Sequence, residues 1–255
     1  NSSTGYYTLT DGSGGAISFK NIETLIVGDY TYTEDTSSNA FWNATEYVLY
    51  LYDGGNVSSS DITGGGGFGA DGLITGPGSD ASKDLTVRGS PSADSMNLNI
   101  NRDPLLTGNL ILTMGAGNDT LHSTKLRNGD SIDMGAGDDE ISIMATGSNG
   151  SPTIANLSLT LLDGGAGSDT LKFEESGTNT TELTLTTGNA TNFENIIGTA
   201  GAETIKGDAN ANTLTGKGGA DTLYGYAGND TLYAGSSDST SNTLYGGAGN
   251  DTLVG

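Results

Sequence analysis

Acidic side chains recur in this chain at fixed distances from glycines and from one large apolar residue. GGAGSDTLK (Gly164 to Lys172), GGAGNDTLV (Gly246 to Val254) and GGFGADGLI (Gly66 to Ile74) are complete nine-residue copies. MGAGNDTLH (Met114 to His122) and MGAGDDEIS (Met134 to Ser142) differ mainly at the first position. From Gly198 onward the units run in tandem as GTAGAETIK, GDANANTLT, GKGGADTLY, GYAGNDTLY, an irregular AGSSDSTSNTLY and GGAGNDTLV. Carboxylates beside Gly-rich turns, whose carbonyls stay open, make an oxygen-rich setting. That suits a hard cation such as Ca2+, which takes roughly six to eight oxygen ligands. Transition metals prefer His and Cys, and the chain has one His (His122) and no Cys.

Composition narrows the function classes. Thirty-one acidic residues face nine basic ones, for a formal charge of −22. Phosphate binding needs Lys and Arg, so a nucleic-acid partner is excluded. No run of about 18 apolar residues is present, so no helix is expected to insert into a membrane. Without cysteine there is no disulfide framework, and bound metal is the natural stabiliser. The charge suits a chain that folds once cations neutralise it, with about eleven divalent ions as an upper guide.

Strands must position these turns. No segment has a convincing 3.6-residue apolar period, whereas short alternating stretches recur, as in YVLYLY (Tyr47 to Tyr52), NLILTM (Asn109 to Met114) and LSLTLL (Leu157 to Leu162). The chain reads as all-β. One turn plus one short strand fills nine residues, so eighteen make a full coil. KLRNGDSID (Lys125 to Asp133) keeps Asp130 and Ile132 at positions six and eight, which puts Asp119 and Asp139 on one edge of neighbouring coils and Asp130 on the other. Likewise Glu203 and Asp221 are expected to share one edge, and Asn212 and Asp230 the other. The 30-residue step to Asp169 and the 34-residue step to Glu203 point to longer coils. GSPSADSMN (Gly89 to Asn97) keeps Asp94 and Met96, and FKNIETLIVGD from Phe19 echoes FENIIG from Phe193, which suggests degenerate coils toward the N-terminus. Residues 30–62 break the pattern and read as an insertion or interaction surface. The expected division is a β-rich region over 1–84 and a solenoid over 85–255. The opening NSSTG and the final Gly255 read as the ends of a segment of something longer.

The template G-G-x-G-x-D-x-U-x, with U a large apolar residue, resembles the RTX repeats of secreted bacterial proteins. That resemblance implies a parallel β-roll (a β-helix or solenoid) with several Ca2+ ions in its turns, held by position-six carboxylates and turn carbonyls of stacked repeats. The matching carboxylates are Asp71, Asp119, Asp139, Asp169, Asp221, Asp230 and Asp251, followed by Asp94, Asp130 and Glu203. The turn glycines are Gly115, Gly117, Gly135, Gly137, Gly165, Gly167, Gly219, Gly228, Gly247 and Gly249. Asn212 and Asn242 occupy the acid position without charge, so weaker sites are expected there.

Enzymatic chemistry is not expected. His122 sits at the variable ninth position of a repeat. HExxH and GxSxG are absent from the sequence. Asp138–Asp139 and Glu174–Glu175 are explained as calcium ligands or exposed charge. Two readings remain. In the first, the chain is a structural segment of the bacterial cell exterior (surface layer, adhesin or filament) that self-associates or joins other surface components. In the second, it is a calcium-folded accessory module of a larger type I-secreted enzyme or toxin. Repeats dispersed along the chain and interleaved Thr, Ser and Asn favour the first.

Overall fold

The computed structural model describes residues 84–97, 108–123, 126–144, 159–174, 182–235 and 241–255, together with the strand backbones between residues 7 and 57. Residues 66–74, with Asp71, lie outside the described residues, as does most of the 30–62 segment beyond its strands.

The N-terminal strands depart from the expected degenerate coils. β1 (Tyr7–Thr10) and β2 (Ala16–Phe19) pair antiparallel. β3 (Thr24–Val27), β4 (Tyr30–Asp35), β5 (Ala40–Asn43) and β6 (Val48–Leu51) form an antiparallel meander. Only Gly28 and Asp29 separate β3 from β4, and parallel neighbours need a connection of about a dozen residues or more. Short connections therefore override the sequence echo.

Parallel winding begins at the next pairs. β7 (Asn56–Val57) starts one wall, which continues through β9 (Ser95–Asn97), β11 (Thr120–Ser123), β13 (Glu140–Met144), β15 (Thr170–Glu174), β18 (Asn195–Ile197), β20 (Thr213–Thr215), β22 (Thr231–Tyr233) and β24 (Thr252–Val254). These strands form one 9-stranded sheet, parallel throughout. The facing wall is made in two pieces. β6 pairs in parallel with β8 (Leu85–Arg88), which leads to β10 (Leu110–Thr113), β12 (Ser131–Asp133), β14 (Leu161–Asp163) and β17 (Ala190–Thr191). A second sheet then carries β16 (Glu182–Thr184), β19 (Thr204–Lys206), β21 (Thr222–Ala227) and β23 (Thr243–Ala248). A short 3-10 turn, Thr187–Asn189, lies between β16 and β17, where one piece hands over to the other.

Strand alternation points one residue of each three-residue strand inward. The inward residues stack in register along the first wall as Met96, Leu121, Ile141, Leu171, Ile196, Leu214 and Leu232, all at most 1% exposed. Val87, Leu112, Ile132 and Leu162, then Ile205 and Leu223, do the same on the facing wall. The core is thus two facing ladders of single aliphatic side chains, widened by Ile143 and Phe173 where β13 and β15 are longer. Coil length varies with the connections. Ile196 to Leu214 to Leu232 steps by 18 residues, Leu121 to Ile141 by 20 and Ile141 to Leu171 by 30. The molecule is an all-β parallel solenoid with an N-terminal β-rich region. Among the described residues no helix is long and apolar enough to cross a membrane.

Candidate metal centre

Each strand of the first wall is preceded by a turn whose sixth residue enters the roll, and those residues form a column along one edge. The Asp94 N–H donates to Asp119 Oδ1 (2.7 Å), the Asp119 N–H to Asp139 Oδ1 (2.7 Å), and the Asp139 N–H to Asp169 Oδ1 (2.8 Å). The Asp169 N–H donates to Glu194 Oε2 at 2.8 Å. Further on, the Asn212 N–H donates to Asp230 Oδ1 (2.9 Å) and the Asp230 N–H to Asp251 Oδ1 (3.1 Å). The opposite edge is shorter in acids. There Asp130 Oδ1 accepts from the Leu110 N–H (2.8 Å), Asp221 Oδ1 from the Glu203 N–H (2.9 Å), and Asn242 Oδ1 from the Asp221 N–H (2.8 Å).

One oxygen of Asp119, Asp130, Asp139, Asp169, Glu194, Asp221, Asp230 and Asp251 is therefore used to tie a coil to its neighbour. Charge is not needed for that tie, because the neutral Asn242 makes it equally well. The second oxygen is the informative one. Oδ2 of Asp119, Asp139, Asp169 and Asp230 is buried and accepts no hydrogen bond, in residues that are at most 1% exposed. A buried carboxylate oxygen without a donor costs free energy unless a cation compensates it. Burial pushes the Asp119 carboxyl up from 3.8 to about 7; the neighbouring Asp139 and Asp94 add to this, and its bond from the Asp94 amide opposes it. Asp169 rises to about 6, again chiefly through burial. Asp139 and Asp230 move upward for the same first reason.

The turns bring backbone as close as these carboxylates. All ten glycines expected in the turns lie at positive φ, from Gly219 at 94° to Gly167 at 152°. At Gly165 (φ 100°) a Cβ would overlap the Gly135 carbonyl oxygen of the adjacent turn, so both conformation and space require glycine. The first glycine of a repeat has another role. A Cβ on Gly216, Gly225 or Gly246 would meet Oδ2 of Asp221, Asp230 or Asp251 respectively. Among the described residues no group of three or more His, Cys, Asp or Glu side chains converges on one point. An ion held here would take one or two carboxylates and draw its remaining oxygens from turn carbonyls. That donor set is all oxygen, which fits Ca2+.

Several features escaped the sequence reading. Glu194 stands in the column where a position-six acid belongs, two residues before the inward Ile196, so the 34-residue step to Glu203 divides into 25 to Glu194 and nine more to the opposite edge. Phe193 to Ile197 lacks the turn glycines, and only the Ile two residues after an acid could have marked it. A second, exposed ladder runs along position five. Asn118 Oδ1 accepts from the Asp138 N–H (3.0 Å), Asp138 Oδ1 from the Ser168 N–H (2.9 Å), and Asn229 Oδ1 from the Asn250 N–H (2.9 Å). Asp138 thus has a structural partner. His122, on β11, places Nδ1 3.6 Å from Glu174 Oε2.

The fold and its edges define a class: a parallel β-solenoid whose coils are stapled through columns of turn carboxylates. Residues 197–232, 206–241 and 236–255 match the family of RTX calcium-binding nonapeptide repeats. Residues 197–255 thus carry RTX nonapeptide repeats of the calcium-binding type. The same geometry continues before residue 197, through Asp169, Asp139 and Asp119. No curated protein matches the chain.

Proposed function

We propose that the chain is a calcium-dependent structural segment of the bacterial cell exterior, of surface-layer, adhesin or filament type. In this reading it folds on binding Ca2+ outside the cell. One observation carries it: a single parallel sheet of nine strands runs from β7 to β24, so the metal-binding edge extends along the body of the protein. RTX proteins are typically exported by type I secretion, which supports an extracellular location. Its partners are further copies of itself or other surface components, and its residues serve as scaffold and metal ligands rather than as catalysts. Light scattering on a chelated sample, before and after millimolar calcium, tests this. Reversible growth from monomer to large assemblies is expected. A compact monomer in calcium would instead assign the chain to the accessory-module class of larger secreted proteins.

A further inference from the structure

The turns fall into two kinds, and the residue at position two separates them. In one kind the position-six side chain is closed off by its own turn. Asp94 Oδ2 accepts the Ser90 N–H at 2.6 Å and Oδ1 accepts the Ser90 hydroxyl at 3.0 Å. Glu203 accepts both the Thr199 N–H, at 3.3 Å, and the Thr199 hydroxyl. Asn212 Oδ1 accepts the Asp208 N–H at 2.8 Å. Asp130 Oδ2 likewise accepts from within its turn, from the Arg127 N–H at 2.7 Å. Ser, Thr and Asp favour such local side-chain turns.

In the other kind, position two adopts positive φ. Gly115, Gly135 and Gly165 precede Asp119, Asp139 and Asp169 in this way, and Tyr226 (φ 76°) precedes Asp230. These four are among the aspartates whose buried Oδ2 accepts no hydrogen bond. Lys217 (φ 76°) and Gly247 (φ 105°) place the turns of Asp221 and Asp251 in the same backbone class. The division cuts across the nonapeptide pattern, because Asp94 and Asp130 are as acidic as Asp119.

We infer that a left-handed residue at position two marks the turns that take calcium: turns opened in that way hold the ion, and turns whose own backbone closes on the position-six side chain, from position two at Ser90, Thr199 and Asp208 and from position three at Arg127, hold none. The calcium sites then gather in two groups, around Asp119, Asp139 and Asp169 and around Asp221, Asp230 and Asp251. Between them the roll is locked by protein alone, through Thr199–Glu203 and Asp208–Asn212. Closed turns supply stapling that persists when calcium is removed.

This inference rests on the calcium-binding reading above, and counting bound ions on the whole chain tests the two separately. Equilibrium dialysis with calcium, with circular dichroism to confirm folding, gives the number of ions per chain. Asp139→Asn is expected to remove at least one ion, and Asp94→Asn to leave the parent's number unchanged. Ser90→Gly is expected to add one ion by opening the Asp94 turn, which keeps the test decisive even if Asp139→Asn fails to fold. Equal losses in Asp94→Asn and Asp139→Asn, or no gain in Ser90→Gly, would overturn the inference while leaving calcium binding intact. A parent chain that binds no calcium would overturn the calcium reading itself.

Discussion

A single aspartate in this roll serves two purposes with its two oxygens. Oδ1 of Asp139 staples its coil to the preceding one, while its buried Oδ2 accepts no hydrogen bond. The second purpose leaves a signature in proton binding. Asp119 has an ordinary value of 3.8 and a value of about 7 in the metal-free roll. Between those limits the folded chain holds more protons than the unfolded one, so its metal-free stability rises as pH falls from about 7 toward 4 and is lost on ionisation above. In chelator, the far-ultraviolet β signal is therefore expected to grow on acidification over this window, and added calcium to raise it most above it. A signal flat across that range would contradict the account. Position two offers another test at this scale. Lys217 is a non-glycine residue at φ 76°, a conformation costing roughly 1–2 kcal/mol. Lys217→Gly is expected to stabilise the calcium-bound chain by about 1 kcal/mol, after the added freedom of glycine in the unfolded state is offset. Gly165→Val should do the reverse, since it meets both a positive φ and the Gly135 carbonyl. Thermal melts in saturating calcium read both.

At the scale of the element, a strand here is little more than three residues with one inward side chain. Leu214 on β20 is fully buried between Ile196 and Leu232, whereas Leu253 on β24 is 48% exposed. Leu214→Ala is expected to cost about 2–5 kcal/mol, and Leu253→Ala well under half of that. Denaturant midpoints of the two variants give the comparison, and similar losses would mean that β24 is buried in solution by something else. The cross-coil pairs Lys172–Glu140 (2.8 Å) and Lys206–Glu182 (2.6 Å) lie on the outer faces. Such exposed pairs contribute little, so the inward ladders and stapled turns carry the coil. Much of this was legible in the sequence. The nine-residue step placed Asp119 and Asp139 on one edge and put Leu121 and Ile141 inward. Glu194 was not legible, because its turn lacks the glycines that mark the others.

For the molecule as a whole, the charge of −22 sets the conditions of folding. Exposed charges are screened by salt over a Debye length of about 10 Å at 0.1 M, but buried carboxylates are screened much less. Raising sodium chloride in the presence of a chelator is therefore expected to restore little of the far-ultraviolet β signal that millimolar calcium restores. Equal recovery in either salt would show that general repulsion, and not the turn sites, opposes folding.

The repeats by themselves determined that the chain is all-β, that its strands are short and wound in parallel, and that its acids face the turns. Periodicity is a local property, and nine residues of turn and strand leave one inward side chain whatever surrounds them. Only the tertiary structure decided that β3 to β6 run antiparallel, because a two-residue link outweighs a distant echo. It also separated Asp94 and Asp130 from Asp119 and Asp139. That distinction depends on whether a peptide N–H of the same turn, Ser90 or Arg127, points at the carboxylate.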